Sequence, residues 1–235
     1  GIVLDADKVV NAYNIFSNNT ASNNGEFGIL LWLSCPNTTL TGNTANSNGN
    51  SGIALTSGCD SSMLSNNTAG YNTNGIHLQS LQNSVSANTL TYNTNVGLWL
   101  QNSNSNSLSN NVVNNNITAG IWTGSSSDNY FDTNICDNNQ GHGIVLNSNA
   151  LNNTLSGNTT NSNGEIGVVV QSQASGNTIS GHTANNNSSG IRILNSNSNS
   201  LTNSTLTGNL NNGLWVESAS DTTITGNTIT ESQNA

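Results

Sequence analysis

Apolar residues return along this chain in short clusters at a nearly constant interval. The pattern G-[ILV]-x-[ILV] first recurs at position 28, and its later copies follow at spacings of 24, 23, 22, 23, 23, 24, 23 and 23 residues. The repeat glycines are Gly28, Gly52, Gly75, Gly97, Gly120, Gly143, Gly167, Gly190 and Gly213, with GIWT as a variant at Gly120 and GIVL at Gly1 in the same series. A fixed period of about 20 to 50 residues is typical of stacked repeat architectures.

Each repeat contains three short strand-like segments. Side chains of a strand alternate between its two faces, so in GIVL at Gly143 we expect Ile144 and Leu146 to point inward and Val145 outward. The second segment places Leu155 inward, and the third places Thr160 inward. The pattern predicts an all-β fold, a single-stranded right-handed parallel β-helix of about ten coils, as one domain over 1–235 that can also be part of a longer or polymerising protein.

Asparagine recurs at two fixed places in the repeat, three and eight residues after the second inward position. Asparagine tolerates left-handed turns, and its amide can donate and accept along a stack, so both columns are predicted to form structural ladders. One column contains Asn43, Asn67, Asn88, Asn111, Asn134 and Asn158, with His182 and Ser204 as exceptions; the other contains Asn48, Asn72, Asn93, Asn116, Asn139, Asn163, Asn187 and Asn209.

Composition excludes several partners. The chain is 32% hydrophobic and 6% charged with one proline, which suits hydrogen-bonded turns better than charge-driven disorder. Lys8 and Arg192 oppose eleven acidic residues, so no basic surface is available for nucleic acid, anionic membranes or polyanionic sugars. The longest apolar run, 29–33, is too short for membrane insertion.

Units such as GIVLNSNALNNTLSGNTTNSN (143–163) and GIALTSGCDSSMLSNNTAGYN (52–72) resemble the right-handed parallel β-helix repeat family, which includes NosD-like and surface β-helix proteins. The resemblance extends over nearly the whole chain and implies the fold. It does not select a function, because members include sugar-cleaving enzymes, sugar-binding modules and scaffolds. The Tyr-Gly-x-Asp-Pro-His type of motif found in the family's mannuronan epimerases is absent, since Pro36 lies in SCPN.

Three cysteines occupy two kinds of position. Cys35 and Cys59 each lie seven residues after a repeat glycine, and adjacent coils are about 4.8 Å apart, within disulfide range. We therefore predict a Cys35–Cys59 disulfide, which would favour an oxidising, extracellular location. Cys136 falls on the inward column as a small hydrophobe.

Two residues after each repeat glycine lies an outward column that contains most of the tryptophans. It reads Leu30, Ala54, His77, Trp99, Trp122, Val145, Val169, Arg192 and Trp215, with Trp32, Gln79 and Gln101 in the neighbouring outward column. Exposed aromatic faces bind partners, and indole rings stack on sugars while amides accept and donate to hydroxyls. This face is predicted to bind carbohydrate or to mediate lateral self-association.

Two other functions remain open. His142 and Glu165 lie near one turn on adjacent coils, with Asp137 close in sequence, and form the candidate site of a polysaccharide-active enzyme of glycoside hydrolase or lyase type. Outward Ser and Thr columns, including Thr44, Thr68 and Thr89, are compatible with ice binding.

The leading interpretation is a structural or adhesive module outside the cell, at the cell surface or in the periplasm. Uncapped terminal coils also favour end-to-end association. No metal or cofactor is expected beyond a weak calcium site at Asp5 and Asp7.

Overall fold

The computed structural model describes residues 1–6 and 9–233, in which the chain winds through successive coils of parallel strands. The first sheet is formed by β1 (Ile2–Asp5), β3 (Ile29–Trp32), β5 (Ser51–Leu55), β7 (Asn74–Leu78), β9 (Val96–Gln101), β11 (Ala119–Gly124), β13 (His142–Asn147), β15 (Ile166–Gln171), β17 (Ser189–Leu194) and β20 (Leu214–Glu217). The predicted parallel β-solenoid of about ten coils is confirmed.

The second sheet is narrower. It contains β2 (Ile15–Ser17), β4 (Thr39–Thr41), β6 (Met63–Ser65), β8 (Ser84–Ser86), β10 (Ser107–Ser109), β12 (Tyr130–Asp132), β14 (Thr154–Ser156), β16 (Thr178–Ser180), β18 (Ser200–Thr202) and β21 (Thr223–Thr225). On the third side, single bridges run from Thr20 to Thr205, and within the described residues only β19 (Thr205–Thr207) and β22 (Thr228–Thr230) form a ladder. None of the described residues forms a helix that could cross a membrane.

The core runs along the centre of the coils. The inward residues Ile144, Leu146 and Leu155 have no exposed surface, and the same is true of Thr160 and Cys136 on the third side. Each coil contributes few apolar side chains, but each layer packs on the layers above and below it. Stacking therefore forms a continuous core from a mostly polar sequence.

The repeat glycine is required because backbones approach closely at its corner. A Cβ atom on Gly143 would lie 2.5 Å from the carbonyl oxygen of Gly167 and 2.6 Å from Thr160 Cβ. A Cβ atom on Gly28 would likewise lie 2.5 Å from the Gly52 carbonyl oxygen. Glycine therefore recurs once per coil, at the corner where adjacent coils approach too closely for a side chain.

Both predicted asparagine ladders are present as hydrogen-bonded stacks. In the first, the backbone N–H and the amide Nδ2 of each member from Asn43 to Asn134 donate to the Oδ1 of the next coil, as from Asn88 to Asn111 at 3.0 and 2.9 Å. The second ladder repeats this geometry, as from Asn116 to Asn139 at 2.9 and 3.1 Å. These side chains are buried, so the ladders satisfy turn groups that water cannot reach.

A third buried ladder was not predicted. It lies two residues before the second inward position and contains Thr38, Ser62, Asn83, Asn106, Asn129, Asn153, Asn177 and Asn199. Its amide-to-amide bonds match those of the other two, as from Asn106 to Asn129 at 2.9 Å. The recurring Asn before the Ser/Thr-flanked apolar residue was the available signal.

The outward column of the first sheet is less exposed than predicted. Val145 has no exposed surface and Val169 is 2% exposed, because they pack with Ala119, Trp122 and Ile166 in a second apolar cluster. Neighbouring coils lie only about 4.8 Å apart, so large side chains in one column cover each other.

The predicted Cys35–Cys59 disulfide is not formed in the structure. Both cysteines are free, buried thiols. Cys35 Sγ donates to the Leu33 carbonyl oxygen at 2.9 Å, and Cys59 Sγ lies 3.4 Å from the Leu31 carbonyl oxygen. The sulfurs thus engage backbone carbonyls in the core. Burial, followed by the proximity of Cys59, raises the pKa of Cys35 to about 12, and burial also raises the pKa of Cys59.

We expect the native protein to be inert to thiol reagents at pH 7.5, because the reactive thiolate is suppressed and the sulfurs are buried. Alkylation followed by intact mass measurement should show no modification of the folded chain. After denaturation without reductant, Cys35, Cys59 and Cys136 should all be modified. Modification of Cys136 alone would show that the other two are joined.

Candidate functional site

Aromatic residues of the outward column lie on one face of the first sheet. His77, Trp99 and Trp122 are register partners on adjacent strands, so they follow one another along the axis. Trp32 and Trp215 are 43% and 40% exposed, whereas Trp99 and Trp122 are half-buried. We call this surface, together with Gln79, Gln101, His142 and Glu165, the aromatic face.

The aromatic face contains a first depression of about 240 Å³ between Trp32 and Trp99. The His77 ring stacks on Trp99, with ring centroids 4.4 Å apart and planes 9° from parallel. Gln101 Oε1 lies 3.1 Å from His77 Nε2 and accepts from Gln79 Nε2 at 3.0 Å. Because Oε1 is an acceptor, this contact places the His77 proton on Nε2. Burial lowers the pKa of His77, so its ring is neutral at pH 7.

A second depression, of about 250 Å³, lies between Trp99 and Trp122 and is also lined by Asn95, Val96 and Thr118. His77 covers one face of the Trp99 ring, and the same indole also contributes to this depression. Sequence reasoning missed Asn95 and Thr118. Their signal was a position two residues before a repeat glycine, immediately before a first-sheet strand begins.

A third depression, of about 510 Å³, is lined by Trp122, Gln140, His142 and Glu165. His142 Nε2 lies 3.0 Å from Glu165 Oε2, and the backbone N–H of Ile166 donates to His142 Nδ1 at 3.3 Å. His142 therefore holds its proton on Nε2, and this N–H donates a hydrogen bond to Glu165. Burial lowers the pKa of His142 despite the opposing effect of Glu165, while Glu165 is 62% exposed.

Asp137 does not line the third depression. Its Oδ1 accepts from the backbone N–H of Asn161 at 2.6 Å, and its own N–H donates to Asn114 Oδ1 at 2.8 Å. Asp137 thus takes the place of an asparagine in a partly exposed turn ladder that links Asn114, Asn161 and Asn185. Burial raises the pKa of its carboxyl group. The structure thus brings together two members, His142 and Glu165, of the predicted three-residue acid–base group.

Arg192 lies further along the same face and is already engaged. Its guanidinium carbon lies 4.2 Å from the centroid of the Trp215 ring, and Nη2 lies 3.5 Å from Glu217 Oε2. Arg192 therefore makes both a cation–π contact and an ion pair. The charge of Arg192 also reaches the third depression, where it adds to the effect of burial in lowering the pKa of His142.

The chemistry of the available donors does not fit a metal centre. No group of three His, Cys, Asp or Glu side chains in 1–6 and 9–233 could hold a metal ion. The raised pKa values of Cys35 and Cys59 also disfavour the thiolates that soft metals need. The predicted calcium site cannot be assessed as a pair, because Asp7 lies outside the described residues.

Among solved structures, the chain is similar in fold to the periplasmic alginate epimerase AlgG, with a TM-score of 0.71 and 14% identity over 87% of this chain and 61% of the epimerase. The Dettilon tailspike protein gives a TM-score of 0.75 and 16% identity over 91% of this chain and 52% of the tailspike. The A-module of the Azotobacter vinelandii mannuronan C-5 epimerase AlgE6 gives a TM-score of 0.61 and 13% identity over 95% of this chain and 89% of the module. The chain spans about three fifths of AlgG and half of the tailspike.

No curated protein sequence is significantly similar to this chain. Family models do match it. Residues 1–120 match the family described as periplasmic copper-binding protein (NosD). Residues 64–184 and 152–235 match the right-handed beta helix region. These matches, together with the stacked parallel sheets, show that the chain belongs to the right-handed β-helix family.

Proposed function

We propose that this chain is a carbohydrate-binding β-helix module that acts outside the cytoplasm, in the periplasm or at the cell surface. The observation that carries the proposal is the row of three depressions on the aromatic face, each with at least one indole in its wall. Sugar-binding sites combine an apolar aromatic wall with a few polar groups that fix orientation. Gln79, Gln101 and Asn95 supply such groups beside the indoles.

The similar proteins support the same setting. The epimerases are named for alginate and mannuronan, both polysaccharides, and the AlgG and NosD descriptions are periplasmic. The rod also suits an adhesive role, because its ladders and core hold the aromatic face rigid. A preorganised face loses little conformational entropy when a ligand binds.

We expect the Trp99→Ala/Trp122→Ala double variant to lose at least about tenfold in affinity for any polysaccharide the wild type binds, since buried indoles commonly dominate binding energies. Polysaccharide pull-down and a glycan array would measure this loss. The control is Met63→Thr/Tyr130→Thr, which removes two exposed large side chains from the second sheet.

Light scattering after size exclusion separates the alternatives. Loss of glycan binding at unchanged mass supports the proposal. If no glycan binds and the Trp double variant instead loses an oligomer, the aromatic face is an assembly surface and the carbohydrate proposal fails.

A second candidate function is a polysaccharide-active enzyme, favoured by the His142–Glu165 contact beside Trp122. Glycosidases of the usual kind use two carboxyl groups about 5 to 10 Å apart. The third depression is lined by the single carboxylate of Glu165, so binding accounts for the site more directly than hydrolysis does. Release of reducing sugar from a bound polysaccharide, lost in Glu165→Gln, would establish the enzyme instead.

A further inference from the structure

We propose that the third depression is a subsite for one uncharged sugar residue, held through two of its hydroxyl groups by the Glu165 carboxylate, and that it makes the aromatic face select neutral over acidic glycans. This inference rests on the proposed carbohydrate binding and names its substrate class. It differs from what the similar epimerases suggest, because alginate is a polyuronate.

The Glu165 carboxylate is oriented but not saturated. His142 donates to Oε2, and the Ile166 N–H fixes the His142 ring through Nδ1. Glu165 lines the depression with its side chain 62% exposed, so its carboxylate is accessible to a ligand there. A carboxylate has about four acceptor sites and no donor, so neighbouring hydroxyls of a sugar ring match it. Hydrogen bonds to a charged acceptor are about twice as strong as neutral ones.

The walls of the depression supply the other elements of a sugar site. Trp122 forms an apolar side, and Gln140 offers an amide that can donate or accept. The volume of about 510 Å³ leaves room for a pyranose ring with its hydroxyl groups. Trp122 also lines the second depression, so one continuous chain of sugars can contact both.

The charge of the surroundings disfavours an acidic sugar. The chain carries eleven acidic and two basic residues. Arg192, on the same face, already lies against Trp215 and Glu217. Burial lowers the pKa of His142, so its ring is neutral at pH 7 and offers no charge to a uronate. A uronate carboxylate about 4 Å from Glu165 would be repelled enough to weaken binding by about fivefold or more.

The test compares the wild type with Glu165→Gln on soluble neutral polysaccharides (a glucan, a mannan and a xylan) and on alginate and polygalacturonate, using isothermal titration calorimetry. Asp221→Asn is the matched control, because it removes one exposed negative charge from the turn that precedes β21. We expect the wild type to bind a neutral polysaccharide, Glu165→Gln to weaken this about tenfold, and Asp221→Asn to leave it unchanged.

The outcomes distinguish this inference from the proposed function. Binding of alginate or polygalacturonate as tightly as any neutral polysaccharide, still lost in Trp99→Ala/Trp122→Ala, keeps the carbohydrate function and overturns the neutral selectivity. Neutral binding that Glu165→Gln does not alter overturns the subsite. Absence of binding to all five polysaccharides overturns the proposed function and this inference with it.

Discussion

Replacing Asn111 by Ala should lower the free energy of unfolding by about 3 kcal/mol, because it orphans several buried polar groups at once. Asn111 Oδ1 accepts from the backbone N–H and Nδ2 of Asn88, at 3.0 and 2.9 Å. Its own Nδ2 donates to the Val85 carbonyl oxygen and to Asn134 Oδ1, each at 2.9 Å. Asn111 and Asn88 are buried, so water cannot replace these partners.

The expected loss corresponds to a melting temperature lower by about 6 to 12 °C for a chain of this size. Circular dichroism during heating and urea denaturation would measure it. The matched control is Asn110→Gly, which changes the same residue type one position earlier. Asn110 is exposed and has φ 54°, a conformation that glycine adopts freely, so its loss should stay below about 0.5 kcal/mol. Equal losses in both variants would show that the ladder does not stabilise the fold.

The fold could be predicted because a single constraint, the stacking of similar coils, determines the whole sequence pattern. Neighbouring coils stack at a fixed spacing, so the glycine at the close corner, the inward apolar residues and the turn amides must all recur with the same period. Gly143 and Asn111 illustrate this, since each contacts its counterparts on adjacent coils. The third ladder was missed because its first positions are Thr38 and Ser62 instead of asparagine, so the asparagine column begins only at the third member.

Side-chain depth was harder to predict than side-chain direction. Alternation along a strand places Val145 outward, but it does not reveal that Trp122 and Val169 cover it. The disulfide prediction failed for a related reason. The period gives the spacing between the backbones of Cys35 and Cys59, whereas the bond depends on where each sulfur points.

The candidate site was predictable in its parts and not in its assembly. The Trp column and the His142–Glu165 contact follow from repeat register. Asp137 was placed near them in sequence, but the turn ladder uses its carboxylate to accept from Asn161. The depressions themselves depend on how indoles lie across neighbouring coils, which the repeat pattern does not encode.

One coil breaks the first asparagine ladder and introduces a titratable group into the interior. His182 occupies the ladder position and is 1% exposed. Its Nε2 lies 2.9 Å from Thr160 Oγ1, and Nδ1 has no hydrogen-bond partner among the described residues. The backbone N–H of His182 donates to Ser204 Oγ, so the stack continues through a hydroxyl. A proton on this ring would be buried without a counter-charge.

His182 should therefore make the fold sensitive to acid. Burial lowers its pKa to about 3, whereas an unfolded histidine titrates near 6.5. Between those values the unfolded chain binds a proton that the folded chain does not, so the free energy of unfolding falls as the pH decreases below about 6.5. From pH 7.5 to pH 5 the loss due to this residue is about 2 kcal/mol.

We expect His182→Asn to remove this loss, so that its stability changes about 2 kcal/mol less than that of the wild type between pH 7.5 and pH 5. The new asparagine also supplies an Oδ1 acceptor for Asn158, just as Asn158 Oδ1 accepts from Asn134 Nδ2. Urea denaturation at the two pH values would measure the difference. Ser204→Asn is the control, because it alters the next ladder position and keeps His182; it should remain as sensitive to acid as the wild type. If His182→Asn retains the wild-type pH dependence, other groups that titrate between pH 5 and 7.5 govern acid stability.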